Sequence, residues 1–324
     1  MSRYARQTIL PEMGAAGQAK LAAAHVLVVG AGGLGAPVLP YLAGAGVGAI
    51  TILDNDRVDE SNLHRQVIFT ETEIGAPKAA AAAARIRALN SEIRVVAAQD
   101  TLRPDNVARW IAPADIVLDC ADSFAASYTL SDACLAAGKP LISASALGLS
   151  GYAGGFCGGA PSLRAVFPDL PEQAANCATA GVLGPVVGVI GAMQAQMALA
   201  CLIGLSPSPL GLLARYDALK FRATSFRFDG APEPEGAQFG FIGRAQITPD
   251  DFVVELRPPE EAPVPATPAA LRADAAAFGP GGPIPAPGQR AVMCCRSGLR
   301  AWRAATRLRT TWDGEIALVA LGDD

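Results

Sequence analysis

The sequence predicts an α/β fold built on a doubly wound, mostly parallel sheet, followed by a small second α/β unit near the C-terminus. Three observations predict it. Short β-branched runs alternate with Ala-rich segments of helical length, as in βαβ units. A glycine-rich string, Gly30-Ala31-Gly32-Gly33-Leu34-Gly35, stands between the first such run and the helix after it. The composition turns proline-rich and polar at 229–236, and a second strand-and-helix pattern follows.

The elements justify themselves in order. Gly14 to Ala24 reads as a first helix. His25 to Val29 is a short apolar run ending at Gly30, the mark of a buried parallel strand. A helix from Gly35 to Ala45 leads to a strand, Ala49 to Leu53, that ends at Asp54. Pro77 precedes an Ala-rich helix, Lys78 to Leu89, and proline suits a first turn. Strands follow at Ile93–Ala98 and Ile116–Asp119, then a helix at Ser127–Ala137 stopped by Gly138, then a strand from Pro140. Ala178 to Ala214 lacks any charge and is long enough to suggest a membrane span. Its glycines, Pro185, Gln194 and Gln196 favour a buried loop and helix instead. Beyond the linker, Phe252–Leu256 and Ala291–Cys294 read as strands, with a helix through Leu308 and another expected near Ala269–Ala277. The domain reading is therefore 1–228, a linker at 229–245, and 246–324.

Bulk properties narrow the classes. The net charge of -4 advertises no basic surface for nucleic acid. Seven scattered cysteines without a C-x-x-C pair argue against a disulfide framework or a zinc ribbon. The first residues carry no apolar core behind their charges, so the expectation is a cytoplasmic protein without a signal peptide.

The glycine string sits where a strand feeds a helix. Its backbone can approach phosphates there, and the helix N-terminus favours anions. Asp54, at the end of the next strand, stands where an acid can hold a ribose hydroxyl. A nicotinamide oxidoreductase would share these features. It has no use for the polar stretch from Asn55 to Gln66, in which Asn62 and Arg65 can grip phosphate oxygens.

Several motifs stand in one order. They are Arg3-Tyr4-Ala5-Arg6-Gln7, the glycine loop, Asp54-Asn55-Asp56, Ser61 to Gln66, Lys78, Asp119-Cys120-Ala121-Asp122, and Cys177 to Pro185. Over residues 1–228 the chain resembles the ThiF/MoeB/HesA family, which is similar to one half of the ubiquitin-activating enzymes. The resemblance implies an adenylyltransferase. ATP and Mg²⁺ are its cofactors, and the C-terminal glycine carboxylate of a ubiquitin-like sulfur-carrier protein is its substrate. It implies that Gly30, Gly32, Gly33 and Gly35 cradle the nucleotide, with Asp54 on the ribose and Asp56 beside it. Asn62, Arg65 and Lys78 would bind the triphosphate and Asp122 the Mg²⁺. Arg6 would reach into the partner's site of a homodimer, and Cys177 could form a covalent link to the carrier. His25 reads as structural, and His64 sits in the phosphate loop through spacing.

The chain also departs from that pattern. Most relatives bind zinc through two C-x-x-C pairs. Here the first would fall on Ser162-Leu163-Arg164-Ala165 and no second follows Tyr216-Asp217, so zinc is expected to be absent. Ser123 and Ser127 replace the usual Asn and Arg after Asp122. These changes keep open a nucleotide-binding scaffold with lost or reduced adenylation. In the second unit, Cys295-Arg296-Ser297-Gly298-Leu299-Arg300 resembles a rhodanese active loop. Backbone N–H groups and two arginines around one sulfur suit a persulfide. The resemblance implies sulfur transfer from a donor such as a cysteine desulfurase, toward a thiocarboxylate used in thiamine or molybdopterin synthesis.

Overall fold

The computed structural model describes residues 3–170, 181–236 and 238–322. Its larger sheet has eight strands in the order β3-β2-β1-β4-β5-β6-β7-β8. They are β1 (His25–Val29), β2 (Ala49–Leu53), β3 (Arg94–Ala98), β4 (Ile116–Asp119), β5 (Pro140–Leu147), β6 (Ser150–Cys157), β7 (Leu212–Asp217) and β8 (Arg222–Arg227). The first five are parallel, and β6, β7 and β8 extend the sheet antiparallel. Strand order reverses at β1, between β2 and β4, which is where a doubly wound sheet opens a ligand crevice.

Alternation along β1 assigns the two faces. Two helices, α1 (Ala5–Thr8) and α2 (Gly14–Ala23), precede β1, and Val26 and Val28 join one apolar cluster with α3 (Gly35–Ala45), α4 (Lys78–Leu89) and the long helix Gly184–Ile203. Leu27 and Val29 join the other, with α5 (Val107–Ile111) and α6 (Phe124–Ala136). Both faces of the strand are buried, as a parallel core strand requires. The Gly184–Ile203 helix is long and apolar enough to span a bilayer, with a mean hydropathy of 1.9. It lies against α3, β5 and β6, and Val186, Ile190, Gln194 and Ala198 are buried there.

A second sheet has five parallel strands in the order β11-β10-β12-β13-β9. These are β9 (Gly240–Phe241), β10 (Phe252–Glu255), β11 (Leu271–Arg272), β12 (Ala291–Cys295) and β13 (Ile316–Ala320). The segment read as linker, 229–245, thus contributes an edge strand. The helix expected at Ala269–Ala277 does not form. Leu271 pairs with Val254 in the sheet, and only Ala275–Ala277 closes a 3-10 turn. Arg272 donates to the carbonyls of Arg257 and Ala262, which holds that stretch extended. Glu255 and Arg257 form an ion pair at 3.0 Å with both side chains buried.

Candidate active site

The glycine loop leaves β1 and enters α3. Gly30 has φ +96, and a Cβ there would lie 2.5 Å from the Cys120 carbonyl oxygen. A Cβ on Gly35 would strike the Gly30 carbonyl at 2.3 Å. These two glycines let β1, β4 and α3 close on one another. Gly32 and Gly33 meet only the Gln66 side chain and the Val187 and Arg65 side chains. Gly32 is on the more open side of the loop, while Gly33 packs close to the buried Val187.

Asp54, at the C-terminal end of β2, is tied to that loop. Its carboxylate accepts the N–H of Ala31 at 2.7 Å and that of Asp56 at 2.8 Å. Burial pushes its pKa above the ordinary carboxylate value, against the pull of those two N–H donors and the Lys78 charge. Lys78, the first residue of α4, is buried to 6% side-chain exposure and bonds Asp56 at 2.9 Å. A nearly buried ammonium facing one exposed carboxylate is a cation held ready for more negative charge.

Asn62 and Arg65 face each other, the guanidinium Nη2 donating to the Asn62 side-chain oxygen. His64 approaches the same guanidinium at 3.0 Å, so it does more than fill a spacing. Gln66, buried and close to Gly32, has a side-chain oxygen without a partner among the described residues. It lay inside the motif, and only its burial marks it as part of the site. The backbone of His64 is pinned by Gly184, where a Cβ would lie 2.3 Å from the His64 carbonyl oxygen.

Two acids end β4 with different fates. Asp119 is fully buried and accepts from Ser143 Oγ at 2.7 Å and from the Ala121 N–H at 3.2 Å. Burial raises its pKa, while Ser127 and Ser143 counter that by hydrogen bonding. Ser127 thus supports this strand end. Gln194 donates to the carbonyls of Asp119 at 2.8 Å and Ile142 at 2.9 Å, joining β4 to β5. Asp122 is exposed just beyond and forms no ion pair among the described residues. A solvent-facing carboxylate beside a phosphate loop suits Mg²⁺, which takes oxygen ligands from one carboxylate, phosphates and water.

Arg6 lies elsewhere. Its helix α1 (Ala5–Thr8) is held by Gln7, which donates to the Ala45 carbonyl at 2.8 Å, and by Tyr4 against Gly46. Both anchors sit at the far end of the 11-residue α3 from the glycine loop, about 16 Å along the helix axis. The fold does not bring Arg6 to its own chain's loop. Cys177 falls outside the described residues.

In the second unit Cys295 ends β12, fully buried. Its Sγ accepts the N–H groups of Gly298 at 3.1 Å and Ala301 at 3.3 Å, where the helix Leu299–Arg309 begins. Arg300 stands over this loop in a bidentate pair with Glu261. Burial pushes the neighbouring Cys294 thiol up to about 12.

Comparison with known proteins finds a matching family and similar folds. A model of the ThiF family matches residues 4–236. Adenylyltransferase and sulfurtransferase MOCS3 of Bos taurus is 46% identical over 230 residues, which are 69% of this chain and 50% of that protein. The chain spans about half the length of the MOCS3 relatives it matches. A sulfur carrier protein adenylyltransferase of Thermus thermophilus is 42% identical, over 70% of this chain and 86% of its own length. Among solved structures, E. coli MccB with MccA-N7isoASN aligns at a TM-score of 0.61 and 25% identity, over 72% of this chain and 74% of that one.

Proposed function

The chain belongs to the ThiF family, and from that membership we propose that it adenylylates the C-terminal glycine carboxylate of a ubiquitin-like sulfur-carrier protein. One observation carries the reading. Asp54 bonds the glycine loop at Ala31, Arg65 lies against Gly33 with Asn62 on its guanidinium, and Lys78 bonds Asp56 at 2.9 Å, two residues beyond Asp54. The names of the Thermus and MOCS3 relatives point the same way.

The chemistry follows from positioning and charge. The glycine loop and the N-terminus of α3 receive the phosphates, and Asp54 the ribose. Arg65 and Lys78 neutralise the charge that grows on the triphosphate as the carboxylate attacks the α-phosphorus and pyrophosphate leaves. Asp122 would hold Mg²⁺, which screens phosphate charge when bound. Asn62 keeps the Arg65 fork in place and Asp56 keeps Lys78 in place. Arg6, remote from its own loop, would act across a homodimer.

The second unit extends the proposal to sulfur. Cys295, ringed by backbone N–H donors and Arg300, would carry a persulfide loaded by a donor such as a cysteine desulfurase. The carriers that fit are those of thiamine or molybdopterin synthesis.

The test is ATP–pyrophosphate exchange with Mg²⁺ and each type of carrier, with Arg65→Ala as control. Carrier-dependent exchange lost in the variant is the expected result, and the carrier that works names the pathway. ATP binding without exchange for any carrier would favour a scaffold that has lost turnover.

A further inference from the structure

The turn Ser162-Leu163-Arg164-Ala165 belongs to the larger unit, yet its polar groups reach out of it. The carboxylate of Glu233, in the connecting segment, accepts from the Ser162 N–H at 2.7 Å and from its hydroxyl at 2.5 Å. Arg164 is 4% exposed. Its guanidinium makes a fork with Asp132 of α6 at 2.6 and 2.8 Å and donates to the Phe239 carbonyl at 3.1 Å. It also lies 4.8 Å over the Tyr128 ring of α6 and 5.7 Å from the Trp302 ring of the C-terminal helix. Trp302 packs in turn against Tyr128 at 5.8 Å and edge-on against Phe239 at 5.2 Å. One guanidinium thus contacts α6, the connector and the C-terminal helix.

The Cys295 loop lies against the same helix, α6. Gly298, the residue whose N–H points at the Cys295 sulfur, packs on Phe241 and on Ala125. A Cβ placed on Gly298 would lie 3.6 Å from the Ala125 Cβ. Ala125 is in the first turn of α6, three residues beyond Asp122. The loop is closed on that side, and Cys295 has no solvent exposure.

We propose that Arg164 is a positioning residue. Through Asp132, Phe239 and Trp302 it docks the C-terminal unit onto α6, and it holds the Cys295 loop over the first turn of that helix, beside Asp122 of the same chain. The thiol loop and the helix that follows Asp122 are then held in one relative orientation rather than at the concentration a loose tether would give. The sulfur half of this inference rests on the function proposed above; the docking half does not.

The experiment uses the full chain as wild type, Arg164→Ala, Arg164→Lys and the milder Asp132→Asn. Three readouts are taken: iodoacetamide labelling of Cys295 by peptide mass spectrometry, pyrophosphate exchange, and carrier thiocarboxylate formed with a cysteine desulfurase as donor. Arg164→Ala and Asp132→Asn should keep exchange within about twofold of wild type, label Cys295 at least about tenfold faster, and lose about tenfold or more of the thiocarboxylate rate. Arg164→Lys, which keeps the charge without the fork, should fall between. Wild-type labelling in both Arg164→Ala and Asp132→Asn, or faster labelling with undiminished thiocarboxylate, would overturn the proposal. A wild type that exchanges with no carrier defeats the adenylation reading, and the labelling rates still decide the docking.

Discussion

Individual side chains carry the sharpest expectations. Arg65→Ala removes a charge-neutralising fork and should lower exchange about 100-fold or more, while ATP titration reports a smaller loss. Asp119 is a carboxyl whose folded pKa lies above its ordinary value of 3.8, because it is buried. The stability it confers is therefore full below that value and declines as pH rises through the folded pKa. Asp119→Asn removes the titration and keeps an acceptor for Ser143. Its stability relative to wild type should improve as pH rises above the ordinary carboxylate value in denaturant titrations, and a difference that stays flat would contradict the assignment. The two adjacent thiols should also part ways. Cys294, pushed up to about 12 by burial, stays a thiol at neutral pH. Persulfide label from the donor should survive Cys294→Ala and vanish in Cys295→Ala.

Elements explain what could be read in advance and what could not. The turn after β1 was legible because glycine recurs where backbone meets backbone. Gly30→Ala should cost about 1–3 kcal/mol from the positive φ alone, more from the Cys120 contact, and it should abolish ATP binding in calorimetry. The parallel strands were legible as short apolar runs, and Asp54 as an acid at the end of the strand after the glycine loop, while Lys78 and Asp122 were named only through the family resemblance. The antiparallel extension β6 to β8 was not, since β6 is rich in glycine and every residue of β8 is exposed, which leaves no alternation to follow. Ala269–Ala277 misled through alanine propensity, which the pairing of Leu271 with Val254 overrides. The support that Ser127 lends Asp119, the contact of His64 with Arg65 and the burial of Gln66 depend on chain segments meeting in space. Spacing along the chain carries no trace of them.

The molecule as a whole is joined by apolar packing. One cluster runs from Leu27, Val117 and Leu130 of the larger unit through Trp302, Leu299 and Met293 of the smaller. Unfolding should therefore be a single transition in the wild type. Trp302→Ala, at a residue 5% exposed, should cost about 3–5 kcal/mol and split the calorimetric trace into two peaks. A single unshifted peak would mean that the cluster does not couple the two sheets.

The placement of β9 restricts where this chain can be divided. Gly240 and Phe241 pair with Ala317 and Leu318 along the rim of the smaller sheet. A fragment starting at residue 246 would lose that partner and leave the β13 backbone unpaired beside apolar side chains, an open template for self-association. A fragment starting ahead of Phe239 keeps the rim covered. Genetic fusions, swaps between homologues and proteolytic dissection of this molecule would then succeed or precipitate according to a handful of residues that, by composition, look like spacer.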